Sequence, residues 1–96
     1  MYVGIGRATI HMPANTSLKD KRKIVKSLCD RTRVKFQISI AEVADNDVLQ
    51  VATLGFSCTS NSARHAAGIM QAVLSYIHAS RGQYTLREEE SDILEF

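Results

Sequence analysis

The sequence predicts an α+β sandwich in which a four-stranded antiparallel sheet carries two helices on one face. Four segments alternate apolar with polar residues, as half-buried strands do. Two other segments carry apolar residues three or four positions apart, as amphipathic helices do. The order along the chain is βαββαβ, and right-handed crossovers interleave its two βαβ units into one sheet. This order predicts the ferredoxin-like fold.

The first strand is expected over residues 2–12, because polar and apolar residues alternate there and Pro13 breaks the pattern. Its later even positions are small or apolar, so they are expected to face the helices. These positions are Gly6, Ala8, Ile10 and Met12.

The first helix is expected to begin at Ser17, because Ser17 and Asp20 have the S-x-x-D spacing of a capping box. Helical spacing turns five side chains toward the core, and the lysine among them does so through its methylene stem. The inward residues are Leu18, Lys21, Val25, Leu28 and Thr32.

The next two strands form a hairpin. A strand is expected from Phe36 to Val43, because apolar and polar residues alternate from Phe36 onward. The Asp- and Asn-rich residues 44–47 then predict a turn. A third strand is expected from Leu49 to about Thr59, with its even positions facing the helices.

The last two elements complete the second crossover unit. Residues 60–62, Ser-Asn-Ser, offer N-caps for a second helix, and Gly82 is expected to stop it. A fourth strand is expected to start at Gln83. The three consecutive glutamates at residues 88–90 interrupt its alternating pattern, so the sequence leaves its later course open.

Composition predicts one domain over residues 1–96, with basic charge concentrated in its first half. Residues 1–48 hold nine basic and five acidic residues, and residues 49–96 hold three basic and five acidic ones. No secretory leader pattern opens the chain, and no apolar run approaches the ~20 residues that cross a bilayer. We therefore expect a cytoplasmic protein without a membrane partner, in which Cys29 and Cys58 are unpaired core thiols.

Four segments at their mutual spacing resemble the YlxP-like family: residues 10–13 (IHMP), 17–22 (SLKDKR), 39–43 (SIAEV) and 52–55 (ATLG). The family consists of small bacterial proteins of the ferredoxin-like fold, catalogued as a domain of unknown function. Their genes often neighbour those of translation initiation and ribosome maturation factors, so the resemblance implies a ribosome-associated role. The family has no agreed catalytic residues, and the resemblance therefore implies no active site.

The first helix carries the candidate binding site. Residues 16–35 hold eight of the chain's twelve basic residues. Five of them share one helix face with Asp30, and such a face can contact the phosphates of RNA. These five residues, called here the basic stripe, are Lys19, Arg22, Lys23, Lys26 and Arg33. Together with the resemblance, the stripe predicts a partner that is RNA or a ribosomal particle.

RNA could instead stack on the open sheet face, as in the RNA recognition motif, which has the same element order. Tyr2 and Phe56 stand near the positions of that motif's stacking aromatics. However, Leu54 replaces the expected basic residue and Cys58 the expected aromatic one. We therefore expect Tyr2 and Phe56 to be packing residues.

The sequence gives little support for a catalytic or metal site. The histidines and cysteines lack metal-ligand spacing, so we expect no metal and no cofactor. Acylphosphatases share the predicted fold, but they need a Gly-rich loop with an Arg after the first strand. Here residues 13–16 are Pro-Ala-Asn-Thr. We therefore expect a protein that is not an enzyme.

The alternative function is a homodimeric protein-interaction module that binds no nucleic acid. If the strand alternation holds, four apolar side chains point away from the helices, and exposed apolar patches often mark interfaces. They are Val3, Ile5, Leu49 and Val51. In this interpretation the basic stripe is only a solvated surface.

Overall fold

A computed structural model describes residues 1–80 and 82–96 of the chain. Its elements are β1 (Tyr2–His11), α1 (Leu18–Phe36), β2 (Ser39–Ala44), β3 (Val51–Ser60), α2 (Ala63–Ala79) and β4 (Thr85–Glu95). The strands form one antiparallel sheet in the order β2-β3-β1-β4, so β2 and β4 are its edges. The predicted ferredoxin-like α+β fold is confirmed.

The core lies between the sheet and the two helices. Even-numbered residues of β1 and β3 face the helices, as the alternation predicted, and Ala8, Ile10 and Leu54 are fully buried there. Leu28 from α1 and Val73 from α2 pack into the same cluster. Burial of these apolar side chains is the main source of stability for a sheet covered on one face.

Phe56 explains why β1 carries small residues on its inward face. Gly6 and Phe56 are paired across β1 and β3, and a Cβ atom at Gly6 would overlap the Phe56 ring. A Cβ atom at Gly4 would lie only 2.9 Å from Cys58 Sγ and from Met70 Cγ. The glycines therefore make room for one large ring and for the approach of α2 to the sheet.

The helix α1 is longer than predicted, and β2 is correspondingly shorter. Phe36 belongs to the last turn of α1, and Gln37 ends the helix in the left-handed conformation with φ 53° and ψ 50°. The Phe36 ring packs edge-on against Tyr76 of α2, with ring centroids 5.5 Å apart. This helix–helix contact holds Phe36 in the helix, so the expectation that β2 begins there was wrong.

The strand β4 continues through the three glutamates at 88–90 to Glu95, a course that the sequence had left open. It pairs along its length with the central strand β1, with one bulge where the register shifts between Thr9 and Ile10. The glutamate side chains are exposed, because β4 is an edge strand. Exposed charge on an edge strand is compatible with pairing and discourages further strand addition.

Smaller differences occur at other element ends. The strand β3 starts at Val51, two residues after the expected position. The helix α2 begins as predicted, with Ser62 Oγ accepting a hydrogen bond from the His65 amide at 3.1 Å. It ends at Ala79, before Gly82, and residue 81 lies outside the described residues.

Both cysteines are buried and unpaired, as expected. Burial raises the pKa of the Cys29 thiol, and the nearby Arg33 charge opposes this effect. Cys29 therefore stays protonated and behaves as a small apolar residue of the core.

Candidate nucleic-acid interface

The start of α1 is fixed by the predicted cap. Ser17 has extended backbone angles, and its Oγ accepts a hydrogen bond from the Asp20 amide at 3.1 Å. This bond satisfies one of the amide donors that every helix leaves open at its N-terminus. The capping role of Ser17 is confirmed, and Asp20 takes part through its backbone amide.

Lys21 fixes α1 against the hairpin between β2 and β3. Its side chain is only 1% exposed, and its Nζ donates to the carbonyl oxygens of Asp45 at 2.6 Å and Val48 at 2.7 Å. Glu42 Oε2 lies 2.9 Å from the same nitrogen, close enough for an ion pair although not aligned as a hydrogen bond. A buried ammonium is tolerated when it is paired and hydrogen-bonded in this way.

The sequence placed only the methylene stem of Lys21 in the core and missed the role of its ammonium. Two features of the sequence could have indicated a buried ion pair. Lys21 lies on the inward face of the first helix, and Glu42 lies on the strand that follows it. The acceptors at residues 45 and 48 are backbone carbonyls, which no side-chain pattern reveals.

Asn15 makes a second connection between the same segments. It is 8% exposed, and its Nδ2 donates to the carbonyl oxygens of Leu49 at 2.5 Å and Ser17 at 2.9 Å. The Met12 amide donates to the Gln50 carbonyl at 2.8 Å beside it. The loop before α1 is therefore fastened to the β2–β3 hairpin, and α1 has a fixed position on the sheet.

All five residues of the basic stripe are exposed on α1, as predicted. At the C-terminal end of the stripe, Arg33 lies beside the edge strand β2, because its Nη2 donates to the Ile40 carbonyl at 2.8 Å. The structure therefore presents the five side chains along one exposed face of α1, with Arg33 next to the sheet edge.

Asp30 divides the stripe into two parts. Lys26 Nζ lies 2.6 Å from Asp30 Oδ2, and Arg33 Nη1 lies 2.9 Å from Asp30 Oδ1. The hydrogen bond from Lys26 lowers the pKa of the Asp30 carboxyl, with Arg33 contributing, so this group is ionised at neutral pH. Lys26 and Arg33 are thus partly neutralised by an exposed carboxylate, in pairs of the kind that contribute little stability.

The other three stripe residues have no ion pair within residues 1–80 and 82–96: Lys19, Arg22 and Lys23. They lie within the first six residues of α1. The N-terminus of a helix carries a partial positive charge from its aligned peptide dipoles, which adds to theirs. The start of the stripe therefore offers three cations to an anion, with the exposed carboxylate of Asp20 in the same turn.

The opposite edge of the sheet is acidic. The strand β4 exposes five carboxylates, at residues 88–90, 92 and 95. Arg7 of β1 forms an exposed ion pair with Glu90. The charge asymmetry of the sequence thus appears in the fold as a basic face on α1 and an acidic sheet edge at β4.

Among the described residues, neither of the two candidate stacking aromatics lies on the open sheet face. Phe56 is 4% exposed and faces the helices, and Tyr2 packs against the core cluster. The prediction that both are packing residues is confirmed.

The histidines make ordinary surface contacts. His11 Nδ1 lies 3.2 Å from Arg87 Nη2, and His65 Nδ1 lies 3.0 Å from Ser60 Oγ. Within residues 1–80 and 82–96, no three His, Cys, Asp or Glu side chains are grouped to hold a metal ion. In the same residues, no helix has the length and hydropathy needed to span a membrane.

Comparison with known proteins identifies the family. Residues 3–90 match the model of a family described as "Protein of unknown function (DUF503)". The chain belongs to the DUF503 family. It is also 34% identical, over 61 residues, to the "Uncharacterized protein YlxP" of Bacillus subtilis (strain 168). That alignment covers 64% of this chain and 66% of the relative's length.

Membership of the DUF503 family confirms the predicted YlxP-like resemblance. The matched residues include all of α1 and therefore the entire basic stripe. The short β4 segment after residue 90 lies outside the DUF503 match.

Proposed function

We propose that this DUF503 protein is a non-enzymatic accessory factor that binds RNA, in ribosomal particles above all, through the basic stripe of α1. The observation that carries the proposal is a group of three basic side chains at the start of the stripe that form no ion pair with any described residue: Lys19, Arg22 and Lys23. Unpaired cations on a fixed surface can release the counterions of a phosphate backbone without first breaking ion pairs of their own.

The rigidity of α1 supports the proposal. Lys21 and Asn15 fix the helix to the β2–β3 hairpin, so the stripe does not have to be ordered when it binds. From Lys19 to Arg33 the stripe extends about 21 Å, at a rise of about 1.5 Å per residue. This length is enough to follow successive phosphates along one strand of an RNA helix, which proteins recognise mainly by shape and backbone.

Co-sedimentation with ribosomal particles tests the proposal. The native protein is expected to migrate with a ribosomal subunit in a sucrose gradient at low salt and to dissociate as the salt is raised. The double variant Lys19→Glu/Arg22→Glu is expected to remain at the top of the gradient. Arg64→Glu is the control, because Arg64 is an exposed residue of α2 without an ion pair among the described residues.

Two outcomes would contradict the proposal. One is a native protein that never co-sediments at low salt. The other is a stripe variant that migrates with the particles as well as Arg64→Glu does.

A homodimeric interaction module is the second candidate, and one surface favours it. Ile5 is 40% exposed and Val43 is 56% exposed, and both line a shallow groove of about 550 Å³ on the open sheet face. Apolar side chains in such a groove are typical of interaction sites. If the sheet face forms a dimer, Val43→Glu will convert it to a monomer in light scattering, whereas Arg64→Glu will not. A monomeric native protein would exclude this candidate.

A further inference from the structure

A second surface of α1 forms a cleft that is distinct from most of the basic stripe. The cleft has a volume of about 370 Å³ and lies between residues 20–31 of α1 and the segment that precedes β4. Its described lining comes from the loop at residues 14–16, from one side of α1 and from residues 82–84. Ligand sites for small molecules start at about this size.

Two basic side chains of α1, Arg31 and Lys23, line the cleft. Arg31 lines it and donates its Nε to the Ser27 carbonyl at 3.2 Å, which orients the guanidinium. Lys23 lines it as well, so this lysine is shared with the stripe. Neither residue has an ion pair within the described part of the chain. A guanidinium and an ammonium at one cleft are suited to a phosphate group.

Two other polar groups belong to the cleft, the carboxylate of Asp20 and the phenol of Tyr84. Asp20 is the acidic residue of the described lining. Its carboxylate forms no ion pair with any described residue. Tyr84 forms part of the cleft wall and is only 8% exposed. Its phenol oxygen is buried without a hydrogen-bond partner in residues 1–80 and 82–96. Buried polar groups are nearly always paired, so an unpaired phenol beside a cleft indicates a missing partner.

We propose that this cleft binds a ribose phosphate group, supplied by a free nucleotide or by the 5′ end of an RNA. Arg31 and Lys23 contact the phosphate in this arrangement, and the Asp20 carboxylate accepts a hydrogen bond from a ribose hydroxyl. Ile24 contributes an apolar surface within the same lining, and a rotation of the Tyr84 side chain toward the cleft would give its buried phenol oxygen a polar partner. The cleft is independent of RNA binding by the stripe, apart from the shared Lys23.

Amide chemical-shift titrations test the cleft directly. Adenosine 5′-monophosphate is expected to shift the amide signals of residues 14–16 and 82–84, whereas adenosine without a phosphate is expected to leave them unchanged. A short RNA with a 5′ phosphate and the same RNA with a 5′ hydroxyl then distinguish the two sources. If the ligand is an RNA end, the phosphorylated RNA will bind more tightly than the free nucleotide.

Variants separate the cleft from the stripe. Arg31→Gln is expected to weaken nucleotide binding about tenfold, the loss typical of one charge-assisted contact. Tyr84→Phe keeps the packing of the ring and is expected to weaken binding about threefold. Arg64→Gln is the control, and Lys19→Glu/Arg22→Glu should leave nucleotide binding unchanged while removing binding to the stripe.

The proposal is overturned if neither the nucleotide nor the phosphorylated RNA shifts the signals of the cleft. It is also overturned if Arg31→Gln and Arg64→Gln bind equally well. Neither result affects the proposed role of the stripe, which depends on Lys19 and Arg22.

Discussion

The ammonium nitrogen of Lys21 lies 2.7 Å from the carbonyl oxygen of Val48. This contact joins the inward face of α1 to the turn between β2 and β3, which are separate segments of the chain. Together with the Asp45 carbonyl and the Glu42 carboxylate, it satisfies a lysine that is almost completely buried. The surface proposed to bind RNA therefore depends on one cation that does not itself reach the surface.

Lys21→Met is expected to destabilise the protein by about 3 kcal/mol, because it leaves the Glu42 carboxylate and the carbonyl groups of Asp45 and Val48 without their shared donor. Urea unfolding measures the change. Lys19→Met is the matched control, since Lys19 is exposed, and it should change the free energy of unfolding by less than about 0.5 kcal/mol. Equal stability of the two variants would show that the buried contacts of Lys21 contribute nothing.

Substitution of two glycines by alanine should have opposite effects. At Gly6 the added methyl group overlaps the Phe56 ring, and such overpacking is expected to cost about 1–3 kcal/mol. At Gly68 in α2 a Cβ atom meets nothing within 4 Å, so Gly68→Ala should stabilise the helix by about 0.5–1 kcal/mol. Thermal unfolding of both variants gives the comparison. A stabilising Gly6→Ala would contradict the described packing of Phe56.

Removal of the carboxylate at position 30 should strengthen RNA binding. Asp30→Asn releases Lys26 and Arg33 from their ion pairs, so both cations become available to phosphates. We expect a several-fold higher affinity at low salt, with little change in stability because the pairs are exposed. Fluorescence anisotropy with a labelled RNA hairpin measures the affinity. An unchanged affinity would indicate that the second half of the stripe does not contact RNA.

The buried thiol of Cys29 predicts a loss of stability at alkaline pH. Because burial raises its pKa, the unfolded chain loses this proton at a lower pH than the folded one. The stability that the protonated Cys29 thiol contributes is fully present below the pKa of this thiol in the unfolded chain. It is lost as the pH rises toward the pKa of the thiol in the folded protein. Unfolding by urea between neutral pH and pH ~10 should show this decline, and Cys29→Ala should reduce it. If Cys29→Ala lost stability with pH as the native protein does, Cys29 would not be the cause of the alkaline decline.

The sequence predicted the fold well because each element carries a periodic apolar pattern and a start or stop signal. Where the sequence prediction and the structure differ, the difference arises at single residues and is decided by residues far away in the sequence. Phe36 alternates like a strand residue but is held in α1 by Tyr76, and the glutamates of β4 are tolerated because an edge strand exposes them. Neither the Phe36–Tyr76 contact nor the edge position of β4 can be inferred from the residues that are neighbours in the sequence.

The candidate site was predicted in position but not in detail. Helical spacing was enough to place all five stripe residues on one exposed surface. It did not show that Asp30 pairs with both Lys26 and Arg33, because side-chain torsion angles decide which cations a central carboxylate reaches. The cleft beside Tyr84 was missed because three separate segments form it.

The most direct test of the central claim is the salt dependence of binding to a structured RNA. The logarithm of the binding constant should fall linearly with the logarithm of the salt concentration, with a slope of about 0.7–0.9 for each phosphate contacted. For Lys19→Glu/Arg22→Glu we expect a smaller binding constant and a slope smaller by about 1.4–1.8, since two phosphate contacts are lost, whereas Arg64→Glu should match the native protein. If the stripe variant kept both the affinity and the slope of the native protein, α1 would not be the RNA-binding surface.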